Sequence, residues 1–259
     1  MARFAVLLSL LTLFVVVCAP AQSGSQPPSF RRDPQAITIL AQSLKALGGV
    51  VPPDSQASGT FARVSGSTSD TGSIQIMTRG YSQTVEKMTA GGITTSVIYS
   101  QGYSAQRNAS GVSRSSLERS LSSDSAIFPL ITIVAAQDPS SGAQFVGNET
   151  LNGIAAYHLR IWRNISDQNF NGLSAFAIKD IWINAASGLP LEIAFDTRDA
   201  DGSAPRIPVA LFFSDYRSVS GILYPFMISK SLNGTPYMAI SISNVAFGAG
   251  LTDLDFALN

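Results

Sequence analysis

Between Pro34 and Leu47 the apolar residues Ala36, Ile37, Leu40, Leu44 and Leu47 recur at helical spacing, and from Gly59 onward the period drops to two. Asp33-Pro34 supplies an N-cap and a first-turn proline, and Gly48-Gly49 ends the run, so the spacing predicts one amphipathic helix of about four turns. The stretches GTFARVSG, GSIQIMTRG, YSQTVEKMT and ITTSVIYS then alternate or carry β-branched residues between Gly- and Ser-rich turns, the pattern of an antiparallel meander. A second helical stretch spans 116 to 136, with Leu117, Leu121, Ile127, Leu130, Ile131 and Val134 on its apolar side and Pro129 placed to kink or divide it.

Strand patterns resume in AQFVGNETL, IAAYHLRIWR, AIKDIWIN, LPLEIAFDTR, IPVALFFSDYR, ILYPFMISKS and PYMAISISNVAF, punctuated by Gly153, Gly188, Gly221 and Asn233-Gly234. Together these predict a mainly β, α+β chain of about eleven strands and two or three helices, with one domain from residue 33 to 259. One large, strongly curved antiparallel sheet with helices on one face fits better than a closed barrel, because the helices need an apolar surface to lie on. Within IKDIWINAASGLPLEIAFDTRD, Gly188 is expected to take the positive φ that ends a short hairpin loop, and Pro190 to open a strand, where a missing donor costs least.

Alternation sorts the second half into two faces. Ile181, Ile183, Leu191, Ile193, Phe195, Phe226, Ile228, Met238, Ile240 and Ile242 fall on one side, and Asp180, Trp182, Asn184, Glu192, Asp196, Lys230 and Ser241 on the other. An apolar face of that size must be covered. If the helices cover it completely it is a plain core; if they cover it incompletely it encloses a cavity for an apolar ligand. Burying about ten methylenes of an acyl chain would contribute on the order of 8 kcal/mol, the scale of a micromolar complex before ordering costs. A lipid carrier can therefore look chemically empty.

Composition narrows the choice. The 259 residues are 45% hydrophobic and 13% charged with a formal net charge of zero, so there is no basic footprint for nucleic acid. Residues 1 to 21 have the layout of a secretory signal peptide: Arg3 in a basic start, an apolar run from Phe4 to Val17, and Ala19-Pro20-Ala21 as a small-residue cleavage pattern. The expected product is exported and opens with a flexible lead-in, residues 22 to 32. Cys18 is the only cysteine; Val17 before it disfavours lipid attachment there, and cleavage after Ala21 leaves no thiol for a disulfide, a zinc site or a nucleophile.

Candidate catalytic groups are few. His158 is the only histidine and lies within a strand pattern, and no G-x-S-x-G nucleophile elbow occurs. Asp196, Asp199 and Asp201 lie in a loop that lacks the spaced ligands and terminal glutamate of a calcium loop, so they read as a solvated hairpin tip, and no metal or cofactor is expected. Acceptor triplets at Asn108, Asn148, Asn164 and Asn233 separate none of the functional readings.

The helix DPQAITILAQSLKALGG, then GTF and a meander, then DIWINAASGLPLEI, DYRSVSGILYPFMI and GLTDLDF resemble the outer-membrane lipoprotein carrier superfamily (LolA/LolB-like) over residues 33 to 257. The most specific pieces are Trp182 with Gly188-Leu-Pro190, and Asp215-Tyr-Arg217 leading to Gly221 and Pro225. The resemblance implies an unclosed half-barrel whose concave apolar face, lidded by helices, holds acyl chains. It also implies that Arg79, at a strand end in the first half, contacts the lid; Gly80 stands where family members usually have proline. The leading expectation is a monomeric, periplasmic, non-enzymatic binder of a lipid or lipoprotein acyl chain. The competing ones are an envelope interaction or sensor module with a solid core and, well behind, a secreted hydrolase working through His158.

Overall fold

In the computed structural model, residues 31–123, 126–163 and 173–259 are described. The expected leader with Cys18, most of the lead-in and the Asn164 triplet lie outside them. The first helix, α1 (Pro34–Ala46), starts as its sequence demands: the Asp33 side chain accepts from the Gln35 N–H, and Pro34 sits in the first turn. The second apolar stretch is divided in two, α2 (Leu117–Ser123) and α3 (Pro129–Gln137), with Pro129 opening the latter.

The strands number thirteen rather than eleven: β1 (Asp54–Ser65), β2 (Thr68–Arg79), β3 (Gln83–Ala90), β4 (Ile93–Ser100), β5 (Tyr103–Asn108), β6 (Gly111–Arg114), β7 (Ser141–Leu151), β8 (Ile154–Arg163), β9 (Ile178–Asn184), β10 (Pro190–Thr197), β11 (Ile207–Val219), β12 (Ile222–Leu232) and β13 (Thr235–Phe247). The two additional strands, β5 and β6, are YSAQRN and GVSR, polar segments with no apolar alternation to announce them. They form because a hairpin partner satisfies their backbone groups.

All thirteen make one antiparallel sheet in the order β6-β5-β4-β3-β2-β1-β13-β12-β11-β10-β9-β8-β7. Most neighbours are consecutive in sequence, and several are joined by two-residue loops in which both residues have positive φ, as at Asn152-Gly153, Ser220-Gly221 and Asn233-Gly234. Such loops match the twist of the flanking strands. The junction that fixes the molecule is β1 against β13, which fuses two meanders into one curved surface with β6 and β7 as its free edges.

The three helices lie on the concave side. Leu40 and Leu47 with α1, and Phe128, Leu130, Ile131 and Ile133 around α3, join Ile76, Leu159, Ile181, Ile193, Leu211, Phe213, Ile228 and Ile240 of the sheet in one apolar cluster. Burying a side chain of this kind contributes about 1.5–3 kcal/mol. Arg32, at the end of the expected lead-in, is pinned rather than loose: it bridges to Ala143 of β7, and its guanidinium donates to the carbonyls of Gln137, Asp138 and Ser141.

Candidate functional site

Nine of the ten residues expected on the concave face lie in that cluster: Ile181, Ile183, Ile193, Phe195, Phe226, Ile228, Met238, Ile240 and Ile242. Leu191 does not. The pairing of β10 with β9 slips between Pro190 and Glu192, so Leu191 becomes the extra residue of a bulge and is only half-buried. Lys230, expected on the outer face with the other charged residues, in fact keeps the parity of Phe226 and Ile228. In register between Leu211 and Met238, it stands on the concave side, where burial lowers its pKa.

The centre of the concave face is filled. Leu130, Leu159, Ile181 and Ile193 have no exposed surface (0%), so no water-sized void touches them. Space opens at the rim, where a pocket of about 160 Å³ lies between the end of α3 and the two wings of the sheet. Tyr81 and Ser82, in the β2–β3 turn, line it from one wing, and Ile161, Arg163 and Lys179 from the other. Thr132, Ala135 and Ala136 of α3 and Ser140 and Ser141 after it complete the wall. The pocket thus marks a seam between the β2–β3 turn of one wing and β8 and β9 of the other.

Arg79 is elsewhere. It shares a face with Met77, away from the helices, and its guanidinium meets Asp253 at 2.5 Å in a short 3-10 turn, Asp253–Phe256, near the C-terminus. That segment covers the outer face of the first wing: Phe256 is buried with Val85 and Ile98, and the buried Asp54 carboxylate accepts the backbone N–H groups of Ala249, Gly250 and Leu251. Beside it runs a broad groove of about 810 Å³, lined by Met77, Val85, Ile98, Leu251 and Leu254.

The outer face of β7 to β10 carries a polar network that residue-by-residue reading passed over. His158 contacts Glu149 at 2.7 Å through Nδ1 and Asp180 at 3.0 Å through Nε2, while Arg160 donates twice to Asp180 at 2.8 and 3.0 Å. The Trp182 indole N–H donates to Glu149 at 2.7 Å, and its ring stacks on His158 with centroids 4.3 Å apart. Burial opposes charge on Glu149 and Asp180, but their hydrogen bonds, to Trp182 and His158 and to His158 and Arg160 respectively, hold both carboxyls below the usual range. Among the described residues no hydroxyl bonds either ring nitrogen of His158, whose two nitrogens already face carboxylates. The signal available in sequence was that His158, Arg160, Asp180 and Trp182 all occupy outward positions of neighbouring strands.

Comparison places this architecture among known ones. A domain named as an outer membrane lipoprotein-sorting protein from Vibrio parahaemolyticus superposes with a TM-score of 0.57 at 15% identity, covering 86% of this chain and 96% of that one. A DUF1329 family protein from Desulfovibrio piger gives 0.56 at 16% identity (86% and 97% covered), and a LolA superfamily protein from Nitrosomonas europaea gives 0.56 at 14% (86% and 97%). The chain therefore has the LolA-like fold: an unclosed antiparallel half-barrel with helices against its concave face. No protein-family model matches the sequence, and the search of curated proteins finds no match.

Proposed function

We propose that this chain is an exported, non-enzymatic protein that takes the acyl chain of a lipid or lipoprotein into its half-barrel, through the pocket at the seam. The observation that carries this reading is a concave apolar face closed by only short helices and open at one rim, beside α3. The likeness to a lipoprotein-sorting domain supports it, and the apolar leader supports export.

The filled centre sets the mechanism. A pocket of about 160 Å³ is benzene-sized rather than acyl-sized, so a chain can enter only as α3 withdraws. Uncovering Leu130, Ile131 and Ile133 costs about 5–9 kcal/mol, close to the roughly 8 kcal/mol that ten methylenes return. The ligand replaces the helix nearly one for one, and modest affinity follows.

Organic extraction of natively purified protein followed by mass spectrometry, with displacement of a fluorescent fatty acid, tests the proposal. Recovery of a bound lipid and saturable displacement are expected; an empty protein that also rejects acyl chains sinks it. The second reading, an envelope interaction module with a solid core, draws on the outer groove, where Leu254 is 83% exposed beside Ile93 at 66%. Co-purification of an envelope protein that is lost on Leu254→Asp, with no lipid found, would favour it.

A further inference from the structure

We infer that the inner face of the first wing, β1 to β5, is a headgroup site for a zwitterionic amphiphile. Glu86 takes the ammonium of the head and Lys230, from β12, its phosphate, with the hydroxyls of Thr84 and Tyr224 beside them. This rests on the acyl-binding reading above and names the ligand class that reading leaves open. Ser55, Thr78, Thr84, Tyr99 and Ser104 stand opposite one another in one row across β1 to β5. None is more than 4% exposed, and the row faces the helices, since Ser104 meets Ser120 of α2 at 3.0 Å. Along this row the usual polarity is reversed: the neighbouring Val85 and Ile98 face outward onto Phe256, and the hydroxyls face in.

Buried hydroxyls are costly unless something bonds them. Ser55 and Thr78 bond each other at 2.6 Å, but the Thr84 hydroxyl has no hydrogen-bond partner, nor has that of the fully buried Tyr224 on β12. Glu86 follows Thr84 at the next inward position of β3, and Lys230 lies further along the same strand as Tyr224. Glu86 acts electrostatically on both Tyr224 and Lys230, yet among the described residues neither Glu86 nor Lys230 has an ion-pair partner. Arg119 of α2, which has partners of its own, opposes charge on Lys230. A purely anionic head would meet Glu86, and a purely cationic one Lys230. A head with both charges satisfies each, and the two hydroxyls complete its hydrogen bonds.

The lid connects this site to chain entry. Phe128, at the N-terminal cap of α3, covers Tyr224 with ring centroids 4.5 Å apart. Withdrawal of α3 therefore uncovers the Tyr224 hydroxyl as it makes room for the acyl chain. Ser82 in the pocket at the seam, then Thr84 and Glu86, are successive alternate positions leading into β3, so the site lies inward of the mouth.

Calorimetric titration of the full chain with dodecanoyl lysophosphatidylethanolamine, dodecanoate, dodecylammonium and dodecanol, each below its micelle concentration, and with free phosphoethanolamine, tests the assignment. The lysolipid should bind at least about tenfold more tightly than the other three amphiphiles. Glu86→Gln and Lys230→Gln should each remove most of that preference while leaving dodecanol within about twofold. Tyr224→Phe should weaken the lysolipid at least about threefold without lowering the thermal midpoint, because the hydroxyl it removes has no partner in the free protein. That variant keeps the test valid if a charge variant fails to fold. Equal binding of all four amphiphiles, tighter binding of a singly charged one, or a preference that survives all three substitutions overturns the headgroup site and leaves the acyl reading standing. Free phosphoethanolamine binding as tightly as the lysolipid overturns the amphiphile in favour of a free-zwitterion site. No binding by any amphiphile overturns both readings.

Discussion

Burial disfavours charge on His158, yet its hydrogen bonds to Asp180 and Glu149 outweigh that cost and raise its pKa. A histidine raised in this way contributes stability that is complete below about pH 6.5 and is lost as pH rises through the folded-state value. Glu192, buried opposite Trp182, is pushed up to about 7, chiefly by burial, with His158 pulling it down and Asp180 adding to the rise. The folded state then holds a proton that the unfolded state has lost, so stability also falls as pH rises from about 4.5 toward 7. Both effects run the same way, whereas Asp180 and Glu149, shifted down, weaken the fold only as pH drops through their depressed values. The thermal midpoint should therefore be highest near pH 5–6 and lower at pH 8. Glu192→Gln should raise it by a few degrees at pH 8 and change it little at pH 5; an equal shift at both would refute the assignment. His158→Ala leaves Asp180 and Glu149 each short of a partner, with an expected loss of about 2–4 kcal/mol in chemical denaturation. None of this was legible from single residues, since the network gathers side chains from β7, β8 and β9 that look ordinary one at a time.

Among the elements, the helix starts and the hairpins were readable because their causes are local. Asp33-Pro34 caps α1, Pro129 divides the second apolar stretch, and Gly188 adopts φ +73° in its loop, as expected. Leu191 was misread because alternation assumes an unbroken period of two, and Lys230 because its charge argues for the outer face against the alternation that Phe226 and Ile228 set. A bulge expels Leu191, and Lys230 sits on the inner face two residues beyond Ile228. The C-terminal segment depends on Asp54, whose carboxylate gathers three backbone donors 195 to 197 residues away. Asp54→Ala should cost about 2–3 kcal/mol and speed amide exchange over residues 249–258, because charged hydrogen bonds to otherwise orphaned donors are lost. Arg79→Ala, at a partly exposed ion pair, should cost under about 1 kcal/mol and leave acyl binding unchanged. A strong binding defect in that variant would restore the lid contact that the resemblance implied.

For the molecule as a whole, lid opening is the observable that separates a carrier from a solid module. On saturation with dodecanoate, amides of α3 should exchange faster while those of the central strands β11 to β13 stay protected; unchanged α3 exchange with a ligand demonstrably bound would place the chain elsewhere. Hydrophobic periodicity, turn chemistry and caps settled the fold class, the helices and most of the residues that turn inward, because each depends on neighbours within a few positions. The tertiary structure decided the rest. The union of β1 with β13, the closure of the apolar face by α3, the pocket left at the seam and the charge network on the outer face all join residues far apart in sequence. Whether apolar surfaces meet or leave a gap is fixed by how elements pack, and no local period carries that information.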